Sequence, residues 1–368
     1  MKVSQFEPFI GMEEYEAIKD CFDKKWITEG PKAAEFSQSL CGLIGAKYGV
    51  FAPNGTLALY LALKSLGIGP GDEVIVPNFT FIASANSVEM IGATPVFVDI
   101  NLQTLQIDVQ DCYRALTKST KAIMPVHIYG ASADMSRVMA FAKENNLLVI
   151  EDAAQALGVK WAGKGCGSFG DAATFSFFAD KTLTTGEGGF VTTNNKEIYD
   201  RLRLFRNQGR FHRGTFQHPA IGYNFRMTDI QMAIGLAQLK KFDIIVEKKN
   251  KILNLYRNLL SDVEDLKIMT PSEEVSPFIP FRVILMGRQL SGNLMEFMKR
   301  NDIETRTLFY PLHRQPCFKG RWSTPGDECF KNSIHAYEHG ICLPSYPSLE
   351  EEKIEYVCHK IRNFYSAI

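Results

Sequence analysis

The stretch TFSFFADKTLTTGEGG, residues 174–189, runs apolar and aromatic, stops at Asp180-Lys181 and turns through threonines into Gly186, Gly188 and Gly189. A lysine at the end of a strand that reads as buried has three fates. It can expose its ammonium on an apolar stem, pair its charge, or be used chemically as an amine. In the last case it can form a Schiff base with an aldehyde cofactor. A second stretch, VIEDAAQALG (149–158), ends an apolar run with Glu151-Asp152. A carboxylate withdrawn from water there needs a cation, and a protonated heterocyclic nitrogen, a buried arginine, a metal or an N-cap role would each serve.

Two further stretches add to the set. In APNGTLALYLAL (52–63), Asn54-Gly55-Thr56 stand at the start of an amphipathic helix. The free N–H groups and the helix dipole favour a phosphate there, with the Thr56 hydroxyl adding a donor, although a plain N-cap uses the same residues. NFTFIAS (78–84) supplies Phe79 and Phe81, for stacking on a flat ring or for core packing. Together the four stretches offer an amine for an aldehyde, an acid for a ring nitrogen, a phosphate cradle and a stacking face. Those are the contacts that pyridoxal 5'-phosphate (PLP) requires. No G-x-G-x-x-G opens a helix, which argues against a dinucleotide site.

The elements that must position these residues alternate. DEVIVPN (72–78), TPVFVDI (94–100), KAIMPVH (121–127), LLVIEDA (147–153), TFSFF (174–178) and GFVTTN (189–194) read as strands, with helical patterns at 56–66, 83–91 and 134–145. Strands separated by helices predict crossover units and a mostly parallel, covered sheet, which places ligands at the carboxyl ends of its strands. Each of the four stretches falls at such an end. From about residue 228 the apolar spacing of Met232, Leu236, Leu239, Phe242, Val246, Leu253, Tyr256 and Leu260 predicts one long helix. PFRVILM (280–286), LMEFMKRND (294–302) and a terminal helix after Ser348 complete the chain. The expected organisation is a large α/β domain over residues 1–240 and a smaller α+β domain over 241–368.

Composition excludes several function classes. The chain has 368 residues, 45% hydrophobic and 22% charged, with 41 basic and 41 acidic residues and no formal net charge. No bulk field draws it to nucleic acid or to an anionic membrane. Its eight cysteines show no CxxC pair and no zinc spacing, so no metal site is expected and the thiols read as small core residues. No signal-peptide core or transmembrane run is evident, which predicts a cytoplasmic protein.

The motifs NGTLAL, GDEVIVPNFTFIASANS, VHIYG, IEDAAQALG, FSFFADKTLTTGEGG, RNQG, GYNFRMTDIQMAIGLAQL and FYPLH, in this order, resemble the DegT/DnrJ/EryC1/StrS sugar aminotransferases. The resemblance extends over essentially the whole chain. It implies an aspartate aminotransferase-like fold (fold-type I PLP) and PLP as cofactor. It also implies roles residue by residue. Lys181 would carry the cofactor as a Schiff base, Asp152 would pair with the pyridine nitrogen, Gln155 would contact the ring hydroxyl and Phe81 would stack on the ring. Gly55, Thr56 and Ser176 would hold the phosphate, and Asn224 would reach the phosphate of a partner subunit in a homodimer with shared active sites. His127, Arg226, Tyr310 and His313 lie in segments that line the sugar site of relatives.

Relatives that dehydrate sugars carry histidine at the lysine position, so Lys181 favours transamination. Within the family, TTGEGG is similar to members acting at C4 of the sugar. The implied substrates are L-glutamate and GDP-4-keto-6-deoxymannose, for surface polysaccharide such as O-antigen; the alternatives are the same transamination on a UDP- or dTDP-linked 4-keto sugar, an inosose or a small keto or aldehyde phosphate, and a non-catalytic regulator with this fold. Two departures from that subgroup, Ala179-Asp180 for Gly-Asn and Thr307 for proline, concern the nucleotide and the sugar rather than the cofactor. The segment 207–219 reads as a loop over the substrate whose basic residues meet a diphosphate.

Overall fold

Short apolar runs with helices between them can bury both faces only as neighbouring parallel strands, and the chain follows that rule. The computed structural model describes residues 1–211, 214, 216–322 and 325–367. Its strands are β1 (Tyr48–Ala52), β2 (Glu73–Pro77), β3 (Thr94–Val98), β4 (Thr120–Ile123), β5 (Leu148–Asp152), a two-residue pair β6 (Lys160–Trp161) and β7 (Lys164–Gly165), then β8 (Ala172–Ser176) and β9 (Gly189–Thr193). Each strand expected between residues 72 and 194 is present, while β1 was not anticipated. The large sheet has the order β1-β9-β8-β5-β4-β2-β3. β2 pairs in parallel with β3 and β4, β4 with β5, and β5 with β8, while β9 runs antiparallel to both β8 and β1.

Side chains alternate across this sheet. Ile75, Ile123, Val149 and Phe175 enter one apolar cluster, while Val74, Val76, Ala122, Met124 and Ile150 enter another on the opposite face. Helices cover both faces, and Asn54, Asp108, Asp134, Asn195 and Thr228 cap five of them through side-chain oxygens.

A second sheet of β10 (Leu266–Ile268), β11 (Val283–Gly287), β12 (Arg306–Thr307) and β13 (Gly340–Leu343) is antiparallel throughout, in the order β10-β11-β13-β12. Its apolar side chains pack with helices Phe242–Leu259, Ser291–Arg300 and Glu351–Ser366 and with Val3, which bridges to Ile303. The architecture is therefore α/β, with a mostly parallel seven-stranded sheet and a smaller antiparallel one. A smaller cluster holding Phe79, Tyr129, Phe281, Ile284, Leu308 and Cys342 joins the two sheets. Among the described residues no helix is long and apolar enough to cross a membrane. Five cysteines are buried and two half-buried, but Cys317 is exposed.

The single long helix expected after residue 228 is instead two, Asp229–Lys240 and Phe242–Leu259. Lys241 leaves helical geometry at φ −106°, ψ 15°, and its ammonium sits 2.8 Å from Glu14 Oε1. Gln238, one turn earlier, donates to the Phe9 carbonyl and to Glu14. Tertiary contacts with the N-terminal helix bend the axis there. The apolar spacing continues on both sides, so periodicity alone does not reveal the break.

The turn after β4 is backbone-constrained. Tyr129 has φ +56° and Gly130 φ +86°, and a Cβ at Gly130 would lie 1.9 Å from the Ile279 carbonyl oxygen. Gly130→Ala therefore combines strain with a backbone clash. It is expected to lower stability by at least about 2 kcal/mol in denaturant unfolding; a change within about 0.5 kcal/mol would contradict the placement of this turn.

Candidate active site

A cavity of about 680 Å³ opens at the carboxyl ends of β1, β2, β5 and β8, with the second sheet forming its far wall. Gly55, Thr56, Phe81, Asp152, Gln155, Ser176 and Lys181 all line it. Strand ends converge there because the chain must leave the sheet on that edge before each crossover.

Asp152 closes β5 and is buried. Its Oδ2 accepts from Ser84 Oγ at 2.8 Å and its Oδ1 from the Ala154 N–H at 3.2 Å. Burial pushes this carboxyl above the usual carboxylate range, opposed by those two hydrogen bonds and by the charge of Lys181. Lys181 follows β8, with its ammonium 4.7 Å from the centre of the Phe281 ring and 3.8 Å from Asp180 Oδ1. Burial pushes it below an ordinary lysine. Asp180 and Asp152 work against that fall, and Arg282 adds to it.

Glu151 and Asp152 point to opposite sides of β5, as strand alternation requires. Glu151 is fully buried and accepts from the N–H groups of Gly167, Phe169 and Gly170 at 2.7–2.8 Å and from His127 Nε2 at 3.0 Å. The Ala133 N–H donates to His127 Nδ1 at 3.1 Å, which puts the ring proton on Nε2. His127 is thus enclosed with both nitrogens engaged and does not line the cavity.

At the phosphate end, Asn54 Oδ1 caps the helix Gly55–Ser65 by accepting from Leu57 N–H at 2.9 Å. The Gly55 and Thr56 N–H groups are then first-turn donors with no partner inside the helix. The cap and the anion cradle are the same feature. A Cβ at Gly55 would stand 2.9 Å from Ser176 Cβ, so glycine allows the helix to abut the end of β8.

The two phenylalanines separate. Phe79 is buried edge-on against Tyr129 and Phe309, whereas Phe81 is 58% exposed at the cavity. Gln155 lines the cavity and accepts at Oε1 from the Tyr129 N–H at 2.7 Å.

Other expected residues lie elsewhere. Asn224 is exposed, in a bridge with Asn207. Arg226 donates to Asn207 Oδ1 at 2.9 Å. Tyr310 packs edge-on against Tyr337. His313 is held by Asn78 and by Asp327 Oδ1 at 2.9 Å from Nε2. None of these four lines the cavity. Of the loop 207–219, His212, Arg213 and Thr215 lie outside the described residues.

Sequence reasoning missed several lining groups: Tyr129, Asp180, Glu187, Arg282, Arg306 and Phe309. Tyr129 stands in the VHIYG motif and Asp180 immediately precedes the lysine, so both had a local signal. Phe309 opens the FYPLH motif and so had one as well, whereas Arg282 and Arg306 arrive from the second sheet with no chemical signal in their local sequence.

Comparison with known proteins agrees with this geometry. The GDP-perosamine synthase of Escherichia coli O157:H7 is 40% identical over 365 residues, covering 98% of each chain. Among solved structures, DesV of S. venezuelae, in complex with a ketimine intermediate, is 30% identical with a TM-score of 0.91, covering 97% of this chain and 95% of that one. A Streptococcus pneumoniae protein solved in its PLP form is 25% identical with a TM-score of 0.94, covering 100% and 99%. With its sequence matched over residues 8–362, the chain belongs to the DegT/DnrJ/EryC1/StrS aminotransferase family of PLP-dependent enzymes.

Proposed function

We propose that this enzyme transfers an amino group from L-glutamate to the C4 keto group of a GDP-linked 4-keto-6-deoxy sugar, with PLP held in the cavity at the strand ends. The observation that carries the reading is that Lys181 and Asp152, both withdrawn from water and each favouring the charged form of the other, line one cavity beside a helix start. The E. coli relative's name supports the nucleotide-sugar acceptor, and the motif resemblance supports both the donor and C4.

The residues fit the cofactor. The first-turn N–H groups of Gly55 and Thr56, with the Ser176 hydroxyl, suit a phosphate. Asp152 suits a protonated ring nitrogen, because a cation beside it relieves the cost of its burial. Phe81 offers its exposed ring as a stacking face and Gln155 its side-chain amide to a ring hydroxyl. When bound, PLP supplies an aldehyde to bind the amine and an electron sink to take up charge from the neighbouring carbon.

The side chains supply the rest. Hydrogen bonds from Ser84 and Ala154 oppose the upward push of burial on Asp152, whose carboxylate would favour the protonated form of the ring nitrogen. Lys181 Nζ, its basicity lowered by burial, takes the proton from the amino-bearing carbon of the donor and delivers it on the other side of the transfer. The same residues run in reverse on the keto sugar. Phe281, Phe309 and Tyr129 narrow the cavity and limit the entry of water. The active unit of this proposal is a homodimer, supported by the exposed Asn224 and by exposed Met12, Tyr15, Phe22 and Trp26 near the N-terminus.

Purified protein is expected to show a yellow band that L-glutamate bleaches and one nucleotide-linked 4-keto sugar restores, the GDP-linked sugar among a panel. A protein that stays colourless with added PLP would remove the proposal. Lys181→Ala should keep its melting temperature and lose activity by roughly a thousandfold or more; full turnover in that variant would overturn the assignment. Asp152→Asn should still bind PLP, while its reaction with glutamate slows by about two to four powers of ten. Wild-type rates in that variant would contradict the role given to Asp152.

A further inference from the structure

The residue before Lys181 has no part in the scheme above, yet its carboxylate faces four cations. Asp180 Oδ2 accepts from Arg282 Nη2 at 2.8 Å and lies 3.8 Å from Arg306 Nη1. Its Oδ1 is buried, has no hydrogen-bond partner among the described residues, and lies 3.8 Å from Lys181 Nζ. The fourth cation, Lys249 on the helix Phe242–Leu259, shares a small recess with Asp180, Lys181 and Arg282. Lys249 makes one long hydrogen bond, 3.4 Å to the Phe281 carbonyl, and burial pushes it down to about 7.

A buried carboxylate oxygen without a donor is costly, and a buried guanidinium without a counter-ion costs more. Arg282 has a side chain only 4% exposed, so Asp180 Oδ2 is its necessary partner. That leaves Oδ1 as the free end of the same carboxylate. Asp180 is the chain neighbour of Lys181, and its Oδ1 stands 3.8 Å from the amine.

We propose that Asp180 is a positioning residue for Lys181, anchoring Arg282 of the second sheet through one oxygen and giving the reactive amine its counter-charge through the other. This rests on the reading of Lys181 as the reactive amine. The other ionisable groups around the cluster are Asp152 beyond Lys181, Tyr129 and Cys342 beside Arg282, and Glu7 and Tyr346 in the lining of the recess. Of these, Asp152 adds to the effect of Asp180 on Lys181. The two carboxylates differ in position: Asp152 ends β5, where it would face the ring nitrogen, and Asp180 ties the lysine's segment to the second sheet through Arg282.

The sign of the effect is definite. An anion beside an amine stabilises the ammonium, so neutralising Asp180 lowers the pH at which Lys181 loses its proton, and removing the cation of Arg282 raises it. The experiment is competitive acetylation of the cofactor-free full chain with limiting acetic anhydride across a pH series, with the Lys181 peptide quantified by mass spectrometry. Asp180→Asn keeps an acceptor for Arg282 but removes the charge, and should move the labelling midpoint down by about one to three units. Asp180→Glu should restore it towards wild type. Arg282→Gln keeps a donor to Asp180 and should move the midpoint up, which tests the idea even if Asp180→Asn fails to fold. An unchanged or raised midpoint in Asp180→Asn, or an unchanged or lowered one in Arg282→Gln, would overturn the proposal. Since labelling needs no PLP, its result is independent of the spectra that test the proposed function. A purely structural tie between Asp180 and Arg282 would alter melting without moving the midpoint.

Discussion

The constraint on which this structure depends is the withdrawal of a lysine and a carboxylate from water on the same cavity wall. Burial disfavours the charged form of both, lowering the basicity of Lys181 and raising that of Asp152. Each charge steadies the other, and local partners hold the rest: Ser84 and Ala154 on Asp152, Asp180 and the Phe281 ring on Lys181. Such an arrangement persists only where surrounding structure over-determines it. The Lys181 wall is therefore tied to the second sheet through Arg282, and Tyr129 is clamped between Gln155 and Phe281.

Sheet topology provides the rigid frame. Parallel pairing from β3 through β8 sends the carboxyl ends of these strands to one edge. The reversed strand β9 then starts at that edge, with Gly189 opposite both Ala52 of β1 and Ser176 of β8. This register sets the start of the Gly55 helix against Ser176, so the proposed phosphate cradle draws on two strands that are distant in sequence. Gly189 serves this close approach, since a Cβ there would lie 2.3 Å from the Asn54 carbonyl oxygen.

Neighbouring acids on one strand have separate functions for a simple geometric reason. Alternation turns Asp152 towards the cavity and Glu151 into the core, where three backbone N–H groups and His127 satisfy it. His127 in turn donates its backbone N–H to the Asp152 carbonyl at 2.9 Å. The histidine thus braces the strand that carries the acid, a position its motif alone does not distinguish from substrate contact.

What the sequence determined by itself is the local chemistry. Strand runs ending in Asp152 and Lys181, the helix start at Asn54-Gly55-Thr56 and the aromatic residue Phe81 all come from short-range pattern, and all meet on one cavity. Short-range pattern suffices there because Asp152 ends its strand and the others follow within a few residues of a strand end. Tertiary structure alone decided three other matters: the bend at Lys241, the enclosure of His127, and the arrival of Arg282 and Arg306 at the cavity. Each of these depends on which distant surface an element packs against. That is set by burial and pairing between separate segments, 24 residues apart for His127 and Glu151 and 102 for Asp180 and Arg282, and no local periodicity records it.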